Sequence, residues 1–298
     1  MRTGNECLLC LTRQAVAAAG LSSEDPAIRQ RVANEIGKLI GCLDPSLTPP
    51  ENAVTVYAKI AEITGINDPY KHLRQESNRM ALGLRDSIRN RIRRSGQPFR
   101  TAVHYAVAAN IIDYGTGRDF DAMRRLSDCL GQDLLFDDTE RLRLELEKGA
   151  GRKLLYLADN SGELVFDGLL VEQIKNMGWE VTAAVKSTPI LNDATLEDAE
   201  ECGMQDICRV ITNGTGCPGT PLSSCSEEFR SFFHESDLII SKGQGNFETL
   251  SEADRPIYFL LTVKCAAVGK QIADMRQGDA ADRIENGEMI VMKGDGGC

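Results

Sequence analysis

The sequence has few histidines, a deficit of positive charge and no long apolar run, and each shortage excludes a class of protein. Its 3 histidines, His72, His104 and His234, are too few for a metal centre built from several imidazoles. The longest apolar run of the C-terminal half, residues 257–263, contains Thr262 and is far shorter than the roughly 20 residues of a membrane-spanning helix. We therefore expect neither a multi-histidine site nor a membrane span.

The charge balance and the N-terminal residues indicate which binding partners and which cellular compartment to expect. The chain has 34 Lys and Arg residues against 44 Asp and Glu residues, which argues against binding to nucleic acid or to an anionic membrane. An anionic substrate would then need a local basic site. Residues 7–11 form an apolar stretch too short for a secretory signal, between Glu6 and Arg13. Without a signal, the 10 cysteines are expected to remain thiols in the cytoplasm.

The first half of the chain has the periodicity of helices. A length of 298 residues corresponds to about two domains. Thr48 followed by two prolines predicts a helix start, and the arginine-rich segment 85–94 carries Ile88 and Ile92 four residues apart, which predicts a helix with one apolar face. The helix after Thr48 is expected to bury Val54, Tyr57, Ala58, Ile60 and Ala61. Residues 1–149 are predicted to form a mostly helical cap domain.

Residues 150–298 alternate short β-branched runs with helical stretches, which is typical of βαβ units. Strands are expected at 153–158, 180–185, 207–211, 238–241, 257–263 and 289–292. Helices are expected at 163–177, 193–202 and 222–234, and after 247 and 264. The predicted fold class is α/β: a Rossmann-like, mostly parallel sheet with flanking helices, preceded by the helical N-terminal domain.

The chemistry should lie at the carboxyl ends of these strands, where open parallel sheets bind ligands. Asp159 and Asn160 follow the first predicted strand, and Asp193 follows the second. If these strands are neighbours, two carboxylates and an amide can bind one hard cation such as magnesium or manganese. The alternative is that these residues only cap the next helices, with Asn192 sharing that role with Asp193.

Glycine-rich segments follow two other strands. Lys242, Gly243, Gly245 and Asn246 come after the fourth strand, where a lysine and open backbone amides suit a phosphate. The spacing is not that of a P-loop, and such a glycine pair also occurs in plain tight turns. Residues 213–221 form a glycine-rich loop suited to a lid. Together with the acidic residues, this inventory predicts metal-dependent phosphoryl transfer, with Lys242 stabilising the transferred group.

Six strings in a fixed order carry a family resemblance: CLLCLTRQA at 7–15, NIIDYG at 110–115, DNSGE at 159–163, PILNDATLEDA at 189–199, ISKGQGNFE at 240–248 and LLTVKC at 260–265. In this order they resemble the damage-control phosphatase family, formerly domain of unknown function eighty-nine. The resemblance spans nearly the whole chain. It implies a two-domain α/β protein and a divalent-metal-dependent phosphatase of small phosphomonoesters, either sugar phosphates or damaged metabolite phosphates.

The resemblance also implies roles for individual residues. Asp159, Asn160 and Asp193 match the metal ligands, and the cation would be magnesium, manganese, cobalt or nickel. Lys242 matches a lysine that contacts phosphate, beside Gly243, Gly245 and Asn246. Asn110 and Asp113 would lie near the pocket mouth, contributed by the helical domain. Asp159 is either the nucleophile or only a ligand, with a water activated by the cation attacking; we favour the water.

The Cys7 and Cys10 pair has three interpretations. A zinc site would need further ligands, and Cys42 or another distant thiol would have to complete it. Redox chemistry is a second interpretation, although no strand precedes the pair as in thioredoxin. The third is that both thiols pack in the core at helical spacing.

Two other functions compete with the phosphatase. A carboxyl methyltransferase using S-adenosylmethionine would bind on the same sheet edge, but Lys186 stands where an acidic residue would hold the ribose. A sensor that binds a phosphorylated metabolite without turnover, with the N-terminal cysteines as its switch, is the non-enzymatic alternative. The sequence leaves the substrate, the metal and the oligomeric state open.

Overall fold

The computed structural model describes residues 1–109, 131–276 and 284–295, and the predictions at Asn110 and Asp113 lie outside these residues. The described residues form a sheet of seven strands. The strands are β1 (Phe136–Asp137), β2 (Lys153–Leu157), β3 (Glu180–Val185), β4 (Arg209–Thr212), β5 (Leu238–Lys242), β6 (Pro256–Thr262) and β7 (Met289–Asp295).

The helices surround this sheet. They are α1 (Asn5–Ser22), α2 (Pro26–Ile40), α3 (Pro49–Thr64), α4 (Lys71–Arg94), α5 (Pro98–Ala108), α6 (Thr139–Glu147), α7 (Leu164–Asn176), α8 (Leu196–Glu201), α9 (Glu227–Glu235), α10 (Gln244–Leu250) and α11 (Ala266–Arg276). No helix in the described part of the chain is long and apolar enough to cross a membrane.

The strand order is β1-β7-β6-β5-β2-β3-β4. Strands β2 to β6 run parallel to one another, whereas β7 pairs antiparallel with β6 and β1 pairs parallel with β7. The chain moves from β2 outwards through β3 to β4, then returns to β5 on the other side of β2. The crevice between β2 and β5 is therefore the point where the winding reverses, which is where such sheets bind ligands.

Alternate residues of each strand enter different cores because side chains in a strand point to opposite faces. On β2, Leu154 and Tyr156 pack with helices α4 to α7. Leu155 and Leu157 pack on the other face with α9, α10 and α11. Both faces are covered, which explains why the parallel strands are apolar almost throughout.

Helices α1 to α3 form a third cluster beside the sheet edge. Thr48 caps α3 in a capping box with Glu51, as its position before two prolines predicts. Of the expected stripe of α3, only Tyr57 and Ile60 are buried; Val54 and Ala58 are exposed, and Ala61 is half-buried. Ala53 and Val56 are buried instead. Ile190, from the loop after β3, packs against this cluster, so the three helices sit over the carboxyl end of the sheet.

The α/β fold class is confirmed, and five predicted strands lie within two residues of the observed ones. The sequence analysis missed β1 and the antiparallel direction of β7, and β7 extends three residues beyond its predicted end. Helix α10 begins at Gln244, earlier than expected, so Asn246 belongs to a helix and not to a loop. The domain boundary at residue 149 stays a prediction; α4 to α6 share a core with the sheet.

Candidate active site

The loop after β3 folds back across the end of β2 and brings the acidic residues together. The Ala194 N–H donates to the Asp159 carbonyl at 2.8 Å, and the Ser161 N–H donates to the Asn192 carbonyl at 3.0 Å. Asn160 and Asp193 thereby form an isolated antiparallel bridge. Because β2 and β3 are neighbours, the predicted convergence of Asp159, Asn160 and Asp193 is found in the structure.

The three residues occupy no helix cap. Helix α7 has Glu163 at its N-cap position, and α8 has Thr195, whose side chain forms a capping box with Asp198. The capping explanation for Asp159, Asn160 and Asp193 is therefore wrong. The helix after Asp193 begins later than predicted because Thr195 and Asp198 define its first turn.

Burial makes the two carboxyl groups difficult to ionise in the absence of a cation. Asp159 is 7% exposed and Asp193 is 3% exposed. Burial, together with the charge of Glu163, raises the pKa of Asp159 to about 6. Burial also raises the pKa of Asp193 to about 7; Lys186 acts against this increase and the charge of Asp159 adds to it. Oxygen Oδ2 of Asp193 has no hydrogen-bond donor and lies 3.5 Å from the Lys186 ammonium.

Asn160 is held in one orientation. Its Nδ2 donates to Oε1 of Glu163 at 2.7 Å and to Oδ2 of Asp159 at 3.2 Å. Both bonds use the amide nitrogen, so the amide oxygen Oδ1 is the atom presented for a ligand.

Gly243 makes room for Asp159. Its φ of +79° lies in the left-handed region, and a Cβ atom there would stand 1.9 Å from Oδ2 of Asp159. Any side chain at this position would displace the carboxylate. Gly243 therefore contributes to the site by leaving space for the Asp159 carboxylate.

Lys242, predicted to contact phosphate, points into the protein below this site. Its ammonium donates to Oε2 of Glu163 at 2.9 Å and to Oδ1 of Asp167 at 2.8 Å. The Tyr156 hydroxyl also donates to Oδ1 of Asp167. Burial alone would lower the pKa of Lys242, but Asp167 and Glu163 outweigh it and raise that pKa. The Lys242 ammonium therefore lies outside the cavity, and it supports Asn160 indirectly by binding Glu163.

Two other predicted binding residues, Gly245 and Asn246, lie in the first turn of α10. The Asn246 amide nitrogen donates to the carbonyls of Ala158 and Lys242, which joins the ends of β2 and β5. The amide oxygen accepts from Lys186 and from Thr220 of the glycine-rich loop. Gly245 does line the cavity, and a Cβ there would stand 1.9 Å from the Pro218 carbonyl oxygen.

A cavity of about 280 Å³ opens over the carboxylates, between the sheet edge and helices α1 and α3. Two predicted metal-site carboxylates, Asp159 and Asp193, line it together with Lys264 and Glu248. The positive charge of Lys264 acts against the raised pKa values of Asp159, Asp193 and Glu248. Sequence reasoning assigned Lys264 no role, although it follows β6 just as Asp159 follows β2.

The N-terminal thiols line the same cavity. Cys7 and Cys10 come from α1, and Cys265, which directly precedes α11, faces them. Cys42 is exposed at the end of α2 and is not among the lining residues. Within residues 1–109, 131–276 and 284–295, no three Cys, His, Asp or Glu side chains are arranged to hold a metal ion. A cation bound by Asp159 and Asp193 would therefore need a further oxygen ligand of another kind, for which the amide oxygen of Asn160 is suited.

Comparison with known proteins agrees with this architecture. A family model described as the damage-control phosphatase ARMT1-like domain matches residues 3–281. A damage-control phosphatase of Pyrococcus horikoshii is 34% identical over 297 residues, 98% of each chain. Another, of Archaeoglobus fulgidus, is 32% identical over 293 residues, covering 95% of this chain and 99% of that protein.

A solved structure gives the same result for the fold. The crystal structure of a DUF89 family protein from Pyrococcus horikoshii has a TM-score of 0.89 at 32% identity, covering 99% of this chain and 100% of the other. The resemblance of the six strings is thereby confirmed. Matches of this identity over nearly the whole length establish that the chain belongs to the damage-control phosphatase family, with an ARMT1-like domain.

Proposed function

We propose that this protein is a divalent-metal-dependent phosphatase that hydrolyses small phosphomonoesters, either sugar phosphates or damaged metabolite phosphates. One observation carries the proposal: Asp159, Asn160 and Asp193 converge at the winding reversal of the sheet, none of them caps a helix, and Lys264 faces the same cavity. The names of the relatives in Pyrococcus and Archaeoglobus support it.

The residues present fit a hard divalent cation. Two carboxylates and an amide oxygen are ligands that magnesium and manganese prefer, and cobalt or nickel also accept them. The buried Oδ2 of Asp193 has only the Lys186 ammonium nearby, at 3.5 Å, and no closer donor, so it remains available to a cation. Asp159, Asn160 and Asp193 would hold the ion. When bound, it would neutralise phosphate charge and make a water molecule more acidic.

Three lysines would have separate roles around the cation and the substrate. Lys264 would pair with the phosphate, since it is a lysine that lines the cavity beside both aspartates. Lys186 would orient Asp193, because its ammonium is fixed by the Gly219 carbonyl at 2.8 Å and by Asn246 at 3.3 Å. Lys242 would orient Asn160 indirectly, by holding Glu163. These positions would fix the ligand geometry before substrate binds.

The cavity volume favours a small substrate. About 280 Å³ lies at the lower end of the range for small-molecule sites. Leu11, Pro50 and Ala53 close the side opposite the aspartates. The substrate would therefore be a monophosphate with a compact leaving group.

The test is phosphate release from p-nitrophenyl phosphate and a panel of sugar phosphates, with a chelator or with added magnesium, manganese, cobalt or nickel. We expect release that needs a cation and that Asp159→Ala abolishes, while Asp206→Asn, on the surface turn after α8, retains it. Absence of release with every cation, combined with thermal stabilisation by S-adenosylmethionine, would favour the methyltransferase instead.

Zinc at Cys7 and Cys10 would be a second, separate metal site. We propose Cys265 as the third thiol because it lines the same cavity, although the three thiols would have to move together to hold an ion. Substitution with cobalt(II) would give an intense sulfur-to-cobalt absorption that Cys265→Ser weakens and Cys42→Ser leaves unchanged. Equal spectra for the two variants would contradict this ligand set. The 8 cysteines of the described residues are all thiols, which supports the prediction of a cytoplasmic protein.

A further inference from the structure

We propose that Glu248 is a further catalytic residue: the general acid that protonates the leaving oxygen of the substrate. This inference rests on the phosphatase function proposed above. It assigns a chemical step to a carboxyl group that neither the metal ligands nor the lysines account for. The resemblance to the family gave this residue no role.

Glu248 lines the cavity in which a leaving group would lie. It belongs to α10, is 7% exposed, and shares the cavity with Asp159, Asp193 and Lys264. A phosphate bound beside the two aspartates and Lys264 would therefore have Glu248 and the thiols of α1 in the same cavity.

A short chain of hydrogen bonds fixes the carboxyl group. The Gln244 amide nitrogen donates to Oε1 of Glu248 at 2.8 Å. The backbone N–H of Lys264 donates to the amide oxygen of the same glutamine, also at 2.8 Å. The position of Glu248 is thus tied to the lysine that would bind the phosphate. Fixed geometry of this kind is what proton transfer in the transition state requires.

The surroundings favour a protonated carboxyl group near neutral pH. Burial raises the pKa of Glu248 to about 7, and the charge of Asp159 adds to this; the Gln244 amide, the N-terminal ammonium and Lys264 act in the opposite direction. Cys7, Cys10 and Cys265 line the cavity with Glu248, and burial raises the pKa of each thiol. The other glutamate that lines the cavity, Glu6, is exposed.

The proton balance of the step is complete with water as the only co-reactant. Water forms the new bond to phosphorus while the bond from phosphorus to the ester oxygen breaks. Glu248 gives its proton to that oxygen, and an alcohol and dihydrogen phosphate result. The Glu248 carboxylate then takes a proton from the product phosphate, which leaves as hydrogen phosphate, and the enzyme is restored.

The experiment compares two substrates with leaving groups of different stability. The p-nitrophenolate anion needs no proton to depart, whereas the alkoxide of glycerol phosphate does. Glu248→Gln keeps the shape of the side chain and an oxygen for Gln244, but it cannot donate a proton as an acid does. We expect kcat for glycerol phosphate to fall at least 100-fold and kcat for p-nitrophenyl phosphate to change less than about threefold. Glu252→Gln, at a side chain that is 63% exposed, is the matched control and should change neither.

The dependence of kcat on pH distinguishes a proton donor from a residue that only supports the structure. In the unaltered enzyme, kcat for glycerol phosphate should fall as the pH rises past about 7, where Glu248 loses its proton. In Glu248→Gln this alkaline decline should disappear. An equal loss of kcat with both substrates, or no loss with either, would overturn the role of Glu248. If the unaltered protein hydrolyses neither substrate with any divalent cation, the proposed phosphatase function itself fails.

Discussion

Replacing Lys242 by methionine tests whether this lysine is structural, as its contacts indicate, or binds phosphate, as its place in the sequence suggests. The ammonium lies between the carboxylates of Glu163 and Asp167, which are 4% and 0% exposed. Methionine would fill the space of the lysine and remove the charge. The two carboxylates would then be buried together without a cation.

The size of the effect follows from that burial. Removing one partner of a buried ion pair costs about 3–5 kcal/mol, because an uncompensated charge remains in the protein. For a chain of this length, that loss corresponds to a fall in Tm of roughly 10 °C. The loss should be larger at pH 8 than at pH 5. Lys242 opposes the rise in the pKa of Asp167, so that pKa is higher without the lysine, and a group with a raised pKa loses its stabilising proton as the pH increases.

Thermal and urea unfolding of Lys242→Met, Asp167→Asn and the double variant measure this directly. We expect the double variant to be more stable than Lys242→Met by about 1–2 kcal/mol, since the asparagine carries no charge and still accepts from Tyr156. Phosphate release by the folded fraction should survive in the double variant. A Lys242→Met protein of normal stability with no activity would refute this account and restore Lys242 to the phosphate.

Three further results are expected. Gly243→Ala should lower cation affinity at least tenfold and destabilise the fold, because its Cβ would stand 1.9 Å from the Asp159 carboxylate; titration calorimetry with manganese checks this, and unchanged affinity would contradict it. Lys264→Met should raise KM for a phosphomonoester at least tenfold and change Tm by less than about 2 °C; the reverse pattern would make this lysine structural. Without a cation, the free energy of unfolding should decrease as the pH rises from 4.5 towards 7, because the pKa of Glu248 is raised from 4.5 to about 7. Urea unfolding at several pH values should show a weaker dependence on pH in Glu248→Gln. An equal dependence in both proteins would exclude Glu248 as its cause.

The convergence of the proposed metal ligands could be predicted from the sequence because the rule that brings them together is topological. Asp159 and Asp193 each follow a strand, and consecutive βα units usually place their strands side by side. The choice between ligand and helix cap could not be made in the same way. It depends on where α8 begins, and Thr195 with Asp198 forms a better first turn than Asp193 does.

The direction of the Lys242 side chain, away from the cavity, has a reason visible in the strand. Ile240 enters the core shared with α7, and Lys242, two residues later, points to the same face. Its ammonium therefore reaches Asp167 on α7. Lys264 lies beyond the last residue of β6, where the pleat no longer dictates direction, and it turns into the cavity.

The thiols and Glu248 were not placed because their positions depend on contacts between distant segments. Cys7 and Cys10 reach the cavity only because α1 packs over the carboxyl end of the sheet with α3. Nothing in the spacing of the sequence determines that packing. The same holds for Cys265, which the sequence separates from Cys10 by most of the chain.

The most direct measurement of the central claim is manganese binding by titration calorimetry, in parallel with phosphate release from one sugar phosphate. The unaltered protein, Asp193→Asn and the surface control Asp206→Asn should be compared under identical conditions. The account predicts that the unaltered protein and the control bind the ion and release phosphate, and that Asp193→Asn loses both by at least tenfold. Full binding and turnover in Asp193→Asn would show that the cation and the chemistry lie elsewhere.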